Sequence, residues 1–137
     1  LIVFCDIDGT IADSAWREPL KSDWANYHEN AEFDKPIQTG VEIVRAFFNA
    51  GHTVIASTSR PETSRIRTLK WLVTNEVQFD QLMMRPAKDY RKPVELKLSY
   101  AEVIRPDLVI DDRGDVCDAF CGIGVSTLIS TLCEIRK

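Results

Sequence analysis

Short, wholly apolar runs alternate with longer stretches of helical periodicity along most of the chain. Leu1 to Phe4 is an apolar, β-branched run of the kind that becomes a strand buried on both faces of a sheet. From Pro36 the pattern turns helical: Ile37, Val41, Val44, Phe47 and Phe48 recur at helical spacing, and Gly51 supplies the stop. Thr53 to Ala56 predicts a short second strand, and the next helix carries Ile66, Leu69, Trp71, Leu72 and Val73 as its apolar content, with Arg65, Arg67 and Lys70 available for its outer face. Gln81 to Met84 predicts a third strand. A helix then opens at Pro93, carries Val94, Leu96, Leu98, Ala101 and Val103, and ends at Pro106. Asp107 to Ile110 reads as the fourth strand, Val116 to Phe120 as a short helix, and Val125 to Ile129 as the last strand. Strand, polar turn and helix in repeated alternation predict an α/β fold: a doubly wound, Rossmann-like parallel sheet of about five strands.

The segment from about residue 13 to residue 35 breaks this rhythm. It mixes charges with Trp16, Trp24, Tyr27, His28 and Phe33, and a plain loop has no use for that many rings. It predicts a small helical cap inserted after the first strand, too short to be a domain, so residues 1–137 read as one domain. Its aromatics either pack the cap onto the body or offer faces on which bases stack. His28 has no partner spacing that suggests chemistry.

Composition narrows the class. A 45% hydrophobic and 28% charged chain is that of an ordinary globular protein rather than a disordered one. The net charge of -4 gives no general attraction for polyanions, so contact with nucleic acid must be local. No apolar stretch approaches a membrane span, and the expected location is cytoplasmic, with no membrane partner. The chain begins in a strand without Met, which leaves room for an upstream domain. Cys5, Cys117, Cys121 and Cys133 show no paired spacing, and Cys117 with Cys121 reads as a helix core face rather than a zinc site.

Candidate chemistry gathers where the strands end. Asp6 and Asp8 follow the first strand, with Gly9 and Thr10 turning the chain; they point the same way if the extended conformation persists that far. Thr58 and Arg60 follow the second strand, Arg85 the third, and Asp111 and Asp112 the fourth. In an open α/β sheet these positions converge on one rim, the usual ligand site. Crowded carboxylates there call for a cation, and Mg²⁺ is the hard, oxygen-seeking ion that suits them. Each group also has a plain reading: Asp8-Gly9 and Asp111-Asp112 as turns, Thr58 as a helix cap, Arg60 as a surface charge.

The segment DIDGT after an apolar strand resembles the nucleophile motif of the haloacid dehalogenase (HAD) superfamily, most of whose members are Mg²⁺-dependent phosphatases. The other motifs follow in order: Thr58 closing the second strand, a lysine near the start of a later helix (Lys97, with Lys92 as second choice), and the acidic pair Asp111-Asp112. Arg60-Pro61-Glu62, Arg85-Pro86 with Asp89 and Arg91, and Ile110-Asp111-Asp112-Arg113 make the match similar to the 3′-phosphatase domain of phage-type polynucleotide kinase-phosphatases; Ser59 stands where glycine is commoner.

The resemblance implies a nucleophile at Asp6, a general acid and base at Asp8, a phosphate donor at Thr58 and a charge-neutralising Lys97. It further implies Mg²⁺ between Asp6, the Asp8 carbonyl and Asp112, with Asp111 holding Lys97 or a metal-bound water, and a kinase domain or partner upstream. Arg60, Arg85 and Arg91 are expected to line the rim as a basic track for substrate phosphates. The expected function is a phosphomonoesterase acting through an aspartyl phosphate on nucleotide or polynucleotide 3′-phosphate ends. The alternatives are a 5′(3′)-mononucleotidase and an inactive module that binds nucleic-acid ends. Oligomeric state is not legible in the sequence.

Overall fold

The computed structural model describes residues 1–131; Cys133 lies outside them. Its centre is a five-stranded parallel sheet built from β1 (Ile2–Cys5), β4 (Thr53–Pro61), β5 (Gln81–Arg85), β6 (Leu108–Asp111) and β7 (Ser126–Ile129), in the order β5-β4-β1-β6-β7. The remaining strands, β2 (Ala12–Asp13) and β3 (Lys35–Pro36), pair antiparallel at the two ends of the aromatic-rich insertion, with Asp13 opposite Lys35.

Strict alternation divides the core in two. Val3 and Cys5 of β1, Val54 and Ala56 of β4, and Leu108 and Ile110 of β6 face one side. There they meet Val41 and Val44 of α2 (Gln38–Asn49) and Trp71 and Leu72 of α3 (Arg65–Thr74). The residues between them, Phe4, Ile55 and Val109, face the other side. They meet Leu96 and Tyr100 of α4 (Pro93–Val103) and Val116 and Phe120 of α5 (Gly114–Gly122). The doubly wound fold thus follows from period-2 strands whose two faces are both apolar.

Three elements depart from the sequence reading. The second strand runs nine residues instead of four, because after Ser57 the chain shifts register and continues to Pro61 beside β5. On α3 the buried positions are Thr68, Trp71 and Leu72, whereas Ile66, Leu69 and Val73 are exposed on the opposite side, so apolar residue type overcounted its core face. In the insertion, Ala15–Ser22 and Asn30–Phe33 are 3₁₀ turns around the single short helix α1 (Trp24–Glu29).

The first turn after β1 is where fold and site join. β1 ends at Cys5; the Ile7 carbonyl then accepts from the N–H groups of Thr10, Ile11 and Ala12. Helix α2 packs so closely on this turn that a Cβ on Gly40 would lie 2.0 Å from the Thr10 carbonyl oxygen. Gly40→Ala should therefore destabilise the fold by about 1–3 kcal/mol, against the roughly 1 kcal/mol gain an alanine gives at an open helix position. Urea unfolding reads the sign; a more stable variant would mean the helix can move away.

Candidate active site

β1 ends at Cys5, and Asp6 and Asp8 lie just beyond it, both on one cavity. A tight turn follows, with Gly9 at φ 83°, and the two aspartates meet two different sets of cations.

Asp6 belongs to an acidic cluster at the C-terminal ends of β1 and β6. Its Oδ1 accepts from the Lys97 Nζ at 2.8 Å, and the same ammonium donates to Asp111 Oδ2 at 2.6 Å. All three side chains are nearly or fully buried. Lys97 sits on the buried face of α4, one turn in from Pro93, whereas Lys92 caps that helix and is exposed. Burial opposes a charged lysine, but Asp6 and Asp111 hold the Lys97 ammonium charged, above its ordinary range. Asp112 completes the group: one carboxylate oxygen from each of Asp6, Asp111 and Asp112 lies within 4.8 Å of the others. Gly9 makes room for it, since a Cβ there would fall 2.0 Å from Asp112 Oδ2. Burial pushes the Asp6 carboxyl well up; Lys97 opposes this, and Asp111 and Asp112 add to it. Three carboxylates against one ammonium leave negative charge uncompensated, and an all-oxygen donor set of this size fits a hard divalent cation such as Mg²⁺.

Asp8 is held instead by a network of arginines. Arg60 grips it with two hydrogen bonds, Nε to Oδ2 at 3.0 Å and Nη2 to Oδ1 at 2.7 Å, and Arg17 Nη2 donates to Oδ1 at 2.9 Å. Arg17 is fully buried and at the same time grips Asp34 through Nε and Nη2, both at 2.7 Å, while its Nη1 donates to the Tyr27 carbonyl. Tyr27 lies under the guanidinium, 4.4 Å from ring centroid to Cζ, and the indole N–H of Trp16 donates to Asp34 Oδ1. Burial pushes Asp8 up, but Arg60 and then Arg17 outweigh it and hold the carboxyl below its ordinary value. Asp8 is therefore ionised at neutral pH. Neither Arg17 nor Asp34 stood out in the sequence: both lie in the aperiodic insertion, and only folding brings them to Asp8.

Both aspartates open onto one cavity of about 1000 Å³, lined also by Trp24, Tyr27 and His28 of α1 and by the segment Arg85 to Lys92. Burial and the nearby arginines push His28 down to about 4, so it stands there as a neutral imidazole. Thr58 is buried and is not among the residues that line the cavity; its Oγ1 accepts from the Arg60 N–H at 3.1 Å. Of the three arginines expected at the rim, Arg85 and Arg91 line this cavity and Arg60 does not. Arg60 is 3% exposed and bound to Asp8. Arg85 donates to the carbonyls of Ser59, Asp89 and Arg91, and Arg91 is paired with Asp89.

A family model described as the polynucleotide kinase PNKP phosphatase domain matches residues 1–130. Among solved structures, chains in two Pnkp1/Rnl/Hen1 complexes superpose with TM-scores of 0.82 and 0.83 at 22% identity, each over 98% of this chain. This chain spans under half of theirs, 47% and 43%. A haloacid dehalogenase-like hydrolase of Streptococcus pneumoniae matches at TM-score 0.66 and 12% identity, over 93% of this chain and 83% of its own. At these identities the likenesses establish the fold. No curated protein sequence matches.

Removing Arg17 would leave the buried Asp34 with only the 3.5 Å contact to Arg60 and the Trp16 N–H, and Asp8 with Arg60 alone. Arg17→Met should cost about 3–5 kcal/mol in urea unfolding, and Arg17→Lys, which keeps charge but loses the two-pronged grip, should fall between it and the parent. Unchanged midpoints in both variants would show the network to be dispensable.

Proposed function

The chain belongs to the polynucleotide kinase PNKP phosphatase-domain family, a haloacid dehalogenase-type phosphatase fold, and on that premise we propose that it is a Mg²⁺-dependent 3′-phosphatase of polynucleotide ends. The observation that carries the reading is Asp6: a buried carboxylate with one oxygen held by Lys97, at the floor of a cavity open enough for a large substrate. The likeness to chains of an RNA repair complex supports a nucleic-acid substrate, and we extend it to a kinase domain or partner acting beside this one. An inert binding module would have no use for so costly a cluster of buried charge.

Asp6, Asp111 and Asp112, with the Asp8 carbonyl, would hold the Mg²⁺ ion, which supplies positive charge against the repulsion between an anionic nucleophile and an anionic phosphate. Lys97 keeps Asp6 ionised and aligned, Asp111 keeps Lys97 in place, and Thr58 donates to a phosphoryl oxygen. Asp6 attacks phosphorus; the Asp6–phosphorus bond forms as the bond to the leaving oxygen breaks, splitting one hard displacement into two.

Proton traffic follows from Asp8. An ionised Asp8 has no proton of its own for the leaving alkoxide, so the proton arrives with the substrate. A phosphate monoester bound as its monoanion transfers that proton to Asp8, which passes it to the leaving oxygen. Once the alcohol has gone, Asp8 is a carboxylate again and takes a proton from the water that attacks the aspartyl phosphate. Phosphate leaves, Asp6 is restored, and Asp8 returns its proton to solvent.

Two outcomes test this. In a panel of 3′-phosphorylated oligonucleotide, 5′-phosphorylated oligonucleotide and mononucleotides, the 3′-phosphorylated oligonucleotide should react fastest. Turnover should stop on chelation, return with Mg²⁺, and fall by about 10⁴-fold or more in a folded Asp6→Asn variant. Hydrolysis of mononucleotides alone would make the protein a nucleotidase instead. Because Asp8 is held ionised, kcat/KM should fall about tenfold per pH unit above the second ionisation of the substrate phosphate, about pH 6, with no rising limb from Asp8 over that range. A profile flat or rising from pH 6 to 8 would place the proton on the protein.

A further inference from the structure

One part of the cavity lining is a loop, Arg85 to Lys92, that is braced from within and yet leaves its one aromatic ring exposed. The Arg85 guanidinium ties Ser59, Asp89 and Arg91 together through their carbonyls. The Asp89 N–H donates to the Pro86 carbonyl, and Asp89 Oδ1 accepts from the Arg91 N–H. Lys88, in the left-handed region at φ 61°, completes the turn. A loop this constrained has little backbone entropy left to lose on binding. At its tip Tyr90 is 91% exposed and so adds almost no burial to the fold.

Charge at this wall is equally selective. Arg85 and Arg91 are offset by Asp89, and Arg113, elsewhere on the cavity, by Asp115. Lys88 and Lys92, which flank Tyr90, are exposed and have no ion-pair partner among the described residues. A single exposed aromatic is ordinary on a protein surface. An exposed ring between two free lysines, on a rigid loop and in the same cavity as the attacking carboxylate, has the composition that binds single-stranded nucleic acid: a stacking face with cations for the backbone.

We propose that Lys88, Tyr90 and Lys92 form a subsite for the nucleotide next to the reacting terminus of a single strand, its base stacked on Tyr90 and its phosphodiester held by the two lysines. The inference rests on the polynucleotide reading above. It makes this loop, rather than the catalytic carboxylates, the reason a strand is favoured over a free nucleotide.

The test measures kcat and KM on 3′-phosphorylated substrates from mononucleotide to hexamer, in DNA and RNA arms, for the parent, Tyr90→Ala, Tyr90→Phe and the double variant Lys88→Ala/Lys92→Ala. The parent should gain kcat/KM on going from mononucleotide to dinucleotide. In Tyr90→Ala the ratio of hexamer to mononucleotide kcat/KM should fall about tenfold, the loss of one stacked base, carried by KM; Tyr90→Phe should retain the parent ratio. The lysine variant should show a log KM that depends less steeply on log salt, by about 0.7 for each phosphate it no longer neutralises. Thermal melts confirm that the variants fold. A parent length preference that survives intact in Tyr90→Ala and in the lysine variant overturns the subsite and leaves the polynucleotide reading standing. A parent with no length preference, or with no activity on 3′-phosphates, overturns both.

Discussion

Everything in this molecule bends around the problem of holding two aspartates, two residues apart, at the end of one buried strand. Left extended they would crowd each other, and their mutual repulsion would fall on the same small volume as the attacking group. The fold meets this by giving each its own counter-charge: Lys97 for Asp6, Arg60 and Arg17 for Asp8. In the mechanism proposed above, that separation lets one carboxylate serve as nucleophile and the other as proton carrier. It also demands that distant parts of the chain be in register, because Lys97 comes from α4, Arg60 from β4, and Arg17 with Asp34 from the insertion.

The insertion therefore reaches the candidate site despite its small size. Arg17 reaches Asp8 only because Asp34 holds its other edge and Tyr27 its face, and the Trp71 indole N–H, from the body of the protein, donates to the Asp34 carbonyl at 2.8 Å. A small lid tied down in this way leaves the cavity open, and the rigid loop bearing Tyr90 lines another part of it. In the proposed reading, the loop bearing Tyr90 bears on substrate size and the insertion on proton chemistry, both at one cleft.

Burial of so much charge is a strain on stability rather than a source of it. Lys97 occupies a position on α4 between Leu96 and Leu98 where packing alone would favour an apolar side chain. It is tolerated because Asp6 and Asp111 both accept from it, and the three carboxylates in turn are tolerable together only with further positive charge. Fold and site share this constraint: the same α4 face that completes the second core with Leu96 and Tyr100 delivers the ammonium to the strand ends.

Much of this was legible in the chain as a string of letters. The apolar runs and helical spacings determined a doubly wound sheet, since a strand apolar on both faces must be covered on both. The acidic residues just past the first and fourth runs marked one rim, because parallel strands end together. Lys97 was legible as a motif lysine, though only α4 packing explains why it and not Lys92 reaches the carboxylates. What the letters could not determine was partnership. Arg60 read as a rim residue and is buried on Asp8; Arg85 read as a substrate fork and braces its own loop; Arg17 and Asp34, in a stretch without periodicity, read as nothing in particular. A hydrogen bond forms between atoms a few ångströms apart, and separations of 9 to 91 residues along the chain become that short only when the whole sheet and its insertion have closed.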